Sequence, residues 1–206
     1  MGISIKNFEF MTQCFQKLSP EGIKGKLMLE LGNQRIRNNV QKKYEINWET
    51  GKQYFESIGV KHYSIDKNGR DGAVPIDLSR PIIDDFWINK FDIGTDFGTL
   101  EHITNKNFGQ YEAWKNFHNA LKMGGFFVHS LPHPNGWPTH CNVKYDNEFI
   151  EKLSILNHYK IIYNDLANKG EKKALLQTCL IKKSDNVFME DKELFTSWLH
   201  ITKRQK

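Results

Sequence analysis

Two periodicities alternate along this chain. Phe8, Met11, Phe15 and Leu18 recur at helical spacing before Ser19-Pro20, which predicts an amphipathic N-terminal helix. Residues 26–30 then form an apolar run of strand length. Both faces of such a strand must be apolar when helices cover a parallel sheet on both sides. The run ends on Glu30 and on Gly32, which permits a tight turn. Residues 33–47 show little periodicity, and a short helix is predicted over 49–58, stopped by Gly59. A strand over 60–65 ends in Asp66. A short edge strand over 73–76, holding Pro75, leads to Asp77 and Leu78. The next strand, 91–96, gives way to Phe97-Gly98. A helix over 108–121 carries the stripe Tyr111, Trp114, Phe117, Ala120 and Leu121, with Met123-Gly124-Gly125 as its cap and turn. Residues 126–131 are a buried strand broken by Pro132, and 133–142 a loop with Pro134 and Pro138. A helix over 147–156 precedes strands over 159–163 and 174–182. The polar turn at 168–173 makes these last two an antiparallel pair.

Strands alternating with helices and closed by a hairpin predict a three-layer α/β sandwich. At 206 residues the chain is expected to be one domain, with an N-terminal helical segment over 1–25 and a C-terminal extension over 183–206. The net charge of +5 comes without a dense basic stripe, so charge alone does not indicate nucleic acid, and the lack of an Asn-Pro-Pro-aromatic stretch after residue 96 makes such a partner less expected. Lys172-Lys173 and the tail Lys203-Arg204-Gln205-Lys206 suit a solvated turn and a terminus. Cys14, Cys141 and Cys179 are too scattered for a disulfide framework or a zinc knuckle. No apolar run reaches signal-peptide or membrane-span character, so a cytoplasmic protein without a membrane partner is expected.

Four strand ends present small or acidic residues: Glu30-Leu31-Gly32, Asp66, Asp77-Leu78 and Asp96-Phe97-Gly98. In a parallel sheet these ends point one way, where ligands of open α/β sheets bind. A carboxylate such as Asp66 accepts from both hydroxyls of a ribose. Asp77 suits an exocyclic amine, and Leu78 the face of a base. A dinucleotide needs a glycine-rich loop for its pyrophosphate. Here Asn33-Gln34-Arg35-Ile36-Arg37 follows Gly32, which favours a nucleoside cofactor without phosphate.

With these pieces the chain resembles the class I S-adenosylmethionine-dependent methyltransferases. The matching stretches are Leu29-Glu30-Leu31-Gly32, Asp66, Ile76-Asp77-Leu78, Phe97-Gly98-Thr99-Leu100-Glu101-His102-Ile103 and Leu121-Lys122-Met123-Gly124-Gly125. The resemblance implies a mostly parallel seven-stranded sheet in the order 3-2-1-4-5-7-6, with the seventh strand antiparallel. It implies S-adenosylmethionine as cofactor. Glu30, Gly32 and Asn33 would belong to the turn beside the methionine part, Asp66 to the ribose, Asp77 and Leu78 to the adenine, and Phe97 and Gly98 to the sulfonium. Two departures stand out: Gln34 where the family carries a second glycine, and a long interval before Asp66 that implies an extra loop.

The implied reaction is methyl transfer to an oxygen or nitrogen of a small-molecule acceptor, a sugar or metabolite hydroxyl being the default. Histidine is the side chain best poised to take a proton at neutral pH, and His102, His133 and His140 are the candidates. Trp137 offers aromatic surface to the acceptor. His133, His140 and Cys141 lack paired zinc-ligand spacing, so no metal is expected. Two rival readings are a nicotinamide-dependent oxidoreductase of related fold and a methyltransferase-like binding protein without catalysis.

Overall fold

A computed structural model describes residues 2–138, 140–168, 170 and 173–202. Thr139 of the proline-containing loop, Lys172 of the basic turn and the tail 203–206 therefore lie outside the described residues. The first half of the chain forms β1 (Gly2–Ile3), α1 (Ile5–Leu18), β2 (Leu27–Leu31), β3 (Arg35–Ile36), α2 (Asn38–Tyr44), α3 (Gly51–Ser57), β4 (Lys61–Ile65) and β5 (Phe91–Asp96). The second half forms α4 (Gly109–Ala120), β6 (Leu121–Pro132), β7 (Val143–Lys144), α5 (Asn147–Leu156), β8 (Tyr159–Ala167), β9 (Leu175–Lys182), α6 (Lys192–Ser197) and β10 (His200–Ile201).

The central sheet runs β4-β2-β5-β6-β9-β8. Strands β4, β2, β5 and β6 are parallel, and β9 runs antiparallel to both β6 and β8. Alternation along the strands feeds two cores. Leu29, Leu31 and Phe127 face Trp114, Phe117 and Phe149 of α4 and α5. Met28, Ile93 and Val128 face Phe15 of α1 and Phe55 of α3. Each fully buried large side chain is worth about 1.5–3 kcal/mol, so the layers are held from both faces.

Three expectations are corrected. The sheet has six strands, not seven, because residues 73–76 make no ladder. Val74 forms one parallel bridge to Ile65, and the amide of Ile76 then turns back to the Val74 carbonyl at 2.9 Å. Pro75 between them has no N–H to offer a neighbouring strand. Met123-Gly124-Gly125, expected as a cap and turn, is drawn into β6, as is Leu121, expected to end the helix. There Leu121 pairs with Phe91, and the register shifts before Ile93 meets Phe126. Residues 33–47, which lack periodicity, nevertheless hold β3 and α2. Helix α2 buries only Val40, so there was no stripe to see.

Two small pairings stand beside the central sheet. Strand β1 pairs in parallel with β3, and β10 pairs antiparallel with β7. Among the described residues no helix is long and apolar enough to cross a membrane.

Candidate active site

The turn after β2 is stitched from within. Gly32 takes φ +78, and a Cβ there would lie 2.3 Å from the Thr99 hydroxyl and 2.8 Å from the Gln34 amide. Gln34 donates to the Leu31 carbonyl at 3.2 Å and to Thr99 Oγ1 at 3.2 Å. Thr99 itself donates to Leu31 at 2.8 Å. The space at Gly32 is therefore filled by the side chains of Thr99 and Gln34. Behind it, Glu30 is 1% exposed and accepts the Gln34 amide at 3.1 Å. Burial raises its pKa to about 8, while burial lowers that of His62, 3.7 Å away, to about 3. The two meet as neutral groups near pH 7, because neither charge is solvated. Their separation satisfies a salt-bridge distance, but the opposed shifts argue against an ion pair.

Two cavities open at the strand ends. The first, of about 400 Å³, is lined by Asp66, Ile76, Asp77, Leu78, Thr99, His102 and Ile103 among others. Asp66 Oδ2 accepts the Asn33 amide at 3.3 Å, and Oδ1 the Asn68 amide at 3.0 Å. Asp77 takes the hydroxyl of Ser79 at 2.7 Å and the ammonium of Lys67 at 2.9 Å. These bonds, Ser79 first, hold its carboxyl down to about 2. The second cavity, of about 570 Å³, lies under the start of α1. Its walls include Ser4, Asn7, Arg37, Phe97, Glu101, Ser130, Trp137 and His140. Gly98, at φ +108, lines both.

The structure thus gathers Asp66, Asp77, Leu78 and His102 in one cavity, Phe97, Trp137 and His140 in the other, and Gly98 at the seam. Glu30, Gly32 and Asn33 line neither cavity; they shape the turn, and Asn33 holds Asp66. His133 also lines neither. Its Nδ1 accepts the Asn135 amide at 3.2 Å within its own turn, and burial lowers its pKa. Ser4, Asn7, Arg37, Ser130 and Glu101 were not singled out from sequence. Glu101 had a signal, since it sits inside the stretch 97–103 beside His102. The others reach the cavity only through the β1–β3 pairing and the end of β6.

Beneath the seam lies an acidic pair. Asp96 is fully buried, accepts the Thr99 amide at 2.8 Å through Oδ1, and has Oδ2 3.9 Å from His129 Nδ1. Glu101 is 2% exposed, and burial with the nearby Asp96 charge pushes its pKa well above the carboxylate range. Gln110 fixes this turn by donating to the carbonyls of Leu100 and Ile103, both at 2.7 Å, while Tyr145 donates to Gln110.

No protein-family model and no curated protein matches the chain. Solved structures do. The 1,6-didemethyltoxoflavin-N1-methyltransferase of Burkholderia thailandensis, bound to 1,6-didemethyltoxoflavin and S-adenosylhomocysteine, aligns with TM-score 0.56 at 14% identity, over 85% of this chain and 79% of its own. The N-methyltransferase NodS of Bradyrhizobium japonicum, in complex with S-adenosylhomocysteine, aligns with TM-score 0.52 at 12% identity, over 88% and 89%. A 16S rRNA (adenine(1408)-N(1))-methyltransferase from Catenulisporales acidiphilia aligns with TM-score 0.50 at 8% identity, over 87% and 92%. Identities this low speak to architecture alone. The chain has the fold of the class I S-adenosylmethionine-dependent methyltransferases.

Proposed function

We propose that this protein is an S-adenosylmethionine-dependent methyltransferase acting on an oxygen or nitrogen of a small molecule. The observation that carries the reading is the pair of cavities meeting at Gly98. One is suited to a nucleoside, the other to an acceptor, and the seam lies where the two must approach. Bound there, the cofactor supplies a methyl group already activated on a sulfonium.

The first cavity fits a nucleoside better than a dinucleotide. Asp66 is oriented by two backbone amides and remains half-buried at the wall, able to accept from ribose hydroxyls. Ile76 and Leu78 offer apolar contact to a base, and the ionised Asp77 accepts from an amine. Lys67, the cation lining this cavity, is already engaged by Asp77. Helix α2 has no side-chain cap bond and lies beyond β3, so no glycine-rich loop carries a helix N-terminus to a pyrophosphate. Glu30, Gly32 and Asn33 act from behind, by holding the turn and Asp66 in place.

The second cavity mixes aromatic walls, Phe97 and Trp137, with Ser130, Asn7 and Arg37. That mixture orients a small polar acceptor, and the walls of α1 and the loop exclude water from the seam. His102 and His140 stand where an acceptor proton must leave, whereas His133 holds its own turn. One unit including α1 and the C-terminal β10 is consistent with the pairings of β1 with β3 and of β10 with β7.

Calorimetric titration of S-adenosylmethionine, S-adenosylhomocysteine, NAD and NADP into the purified protein tests the reading. One equivalent of the first two, with no heat from the nicotinamides, is expected. The reverse pattern would make the protein an oxidoreductase. Incubation with metabolite pools should then yield a product heavier by one methylene; binding without any product would leave a binding protein.

A further inference from the structure

Glu101, His102 and His140 converge at the seam. One ligand atom from each side chain lies within 4.8 Å of the others. The imidazoles of His102 and His140 have centroids 4.7 Å apart at 85°, and His102 Nε2 is 3.8 Å from Glu101 Oε1. His140 and Glu101 face the second cavity and His102 the first, so the cluster stands between the two. We propose that these three side chains form a binding site for a divalent first-row transition ion, with its remaining coordination positions open to the acceptor cavity.

Three observations carry this beyond a chance grouping. The donor set is two imidazoles and one carboxylate. That set holds zinc in hydrolytic sites with a position left open, and it suits zinc, cobalt or nickel better than magnesium. Glu101 Oε2 is buried with no hydrogen-bond partner among the described residues, and so is Oδ2 of the fully buried Asp96 behind it. The unpartnered Glu101 oxygen leaves donor capacity open at the seam, and a buried polar atom without a partner costs free energy that a bound ion would offset.

The third observation is that the site is already built. Asn142 donates its amide to the Glu101 carbonyl at 2.8 Å and its side chain to the His102 carbonyl at 2.7 Å. This brings residues 140–142 against the turn that carries both Glu101 and His102. Thr202 in turn holds Asn142 and Cys141 at 2.9 and 3.0 Å, so β10 braces the loop from outside. A tetrahedral zinc site with bonds of about 2.0–2.1 Å sets its ligand atoms roughly 3.3 Å apart. The side chain of His102 is 44% exposed and can swing by the difference.

An ion here specifies the acceptor further, a step that rests on the methyltransferase reading. An acceptor with two neighbouring oxygen or nitrogen donors would complete the coordination shell, and a coordinated hydroxyl loses its proton more readily. The imidazoles would then serve as ligands rather than as bases.

The test uses the full chain without an affinity tag, stripped with chelator and dialysed. Cobalt(II) is titrated while visible absorption is recorded, and zinc(II) is titrated by calorimetry. One equivalent is expected, with the cobalt band of a low-coordinate site. His140→Ala, His102→Gln and Glu101→Gln should each weaken binding at least about tenfold, since even outer-shell partners are worth that much. His158→Asn, exposed just before β8, should leave it within twofold. Absence of saturable binding, or binding unchanged in the folded His102→Gln and His140→Ala proteins, would overturn the site. S-adenosylhomocysteine is titrated into the same samples. Metal bound without that ligand would refute the methyltransferase reading and keep the metal site, and the opposite result would do the reverse.

Discussion

The cavity beside β4 and the cavity beneath α1 share Gly98 but are built by opposite means. The first is made largely from residues that end a strand or follow one closely: Asp66 after β4, Ile76 to Ser79 after the bridge at Val74, and Gly98 to Thr104 after β5. The second takes walls from 2–7, 37–39, 97–101, the end of β6, Trp137, His140, Asn168, Lys173 and Leu175, segments that meet only through tertiary pairing. A strand-end cavity is placed by the sheet itself, so its chemistry stays where the backbone puts it. The other depends on helices and loops that can differ without disturbing the sheet. Such a division ties the first cavity to the sheet and lets the walls of the second vary.

The largest effect is expected where the two cavities join. Gly98 sits at φ +108, a conformation a β-branched residue strains to adopt. Gly98→Val should weaken S-adenosylhomocysteine binding at least about a hundredfold and abolish turnover, with circular dichroism unchanged. Next comes the strand-end carboxylate. Asp66→Ala removes a charge-assisted hydrogen bond worth about 1.5–3 kcal/mol, a Kd increase of roughly tenfold to a hundredfold by calorimetry. A smaller and more selective effect belongs to the loop-built side. Trp137→Ala should raise the acceptor KM about tenfold or more while cofactor Kd stays within twofold, since a buried aromatic contact is worth at least 1.5 kcal/mol or so. Equal losses of both affinities would erase the distinction between the cavities.

The last effect falls on stability rather than on binding. Glu30 has a folded pKa of about 8 against an ordinary 4.5. Between those values the folded protein keeps a proton that the unfolded chain has lost. Stability therefore falls as pH rises through that window, by up to about 1.4 kcal/mol per unit, and levels off above it. Glu30→Gln removes the slope. Urea denaturation at pH 5, 6.5 and 8 should show the variant gaining on the native protein as pH rises. A difference independent of pH would mean that Glu30 is ionised in the fold.

The same division explains what was legible in the sequence. The strand over 91–96 and the helix over 147–156 follow from periodicity, and their bounds match β5 and α5. Asp66 was legible because it follows a strand directly, whereas Asp77 and Leu78 reach the same cavity although the segment before them makes only one bridge to β4. Helix α2 was hidden because one buried residue makes no stripe. The missing third strand turned on Pro75, which was read as an edge signal but removes the ladder itself. In the 133–142 loop, His133 and His140 look alike in sequence, and only the contacts of Asn142 and Asn135 show that one faces the seam and the other does not. Glu101 stood in plain view beside His102, but its burial against Asp96 depends on Gln110 and Tyr145, remote in sequence. Gln34 was visible as a departure from the glycine pattern. Its role in filling the turn needed Thr99, 65 positions away.

The most direct test is a crystal structure of the protein grown with S-adenosylhomocysteine. The account predicts the nucleoside in the cavity lined by Asp66, Asp77 and Leu78, with the ribose on Asp66 and the sulfur at Gly98, facing Trp137 and His140. A nucleoside bound beneath α1, or one whose sulfur lies away from Gly98 with the second cavity walled off from it, would contradict the account.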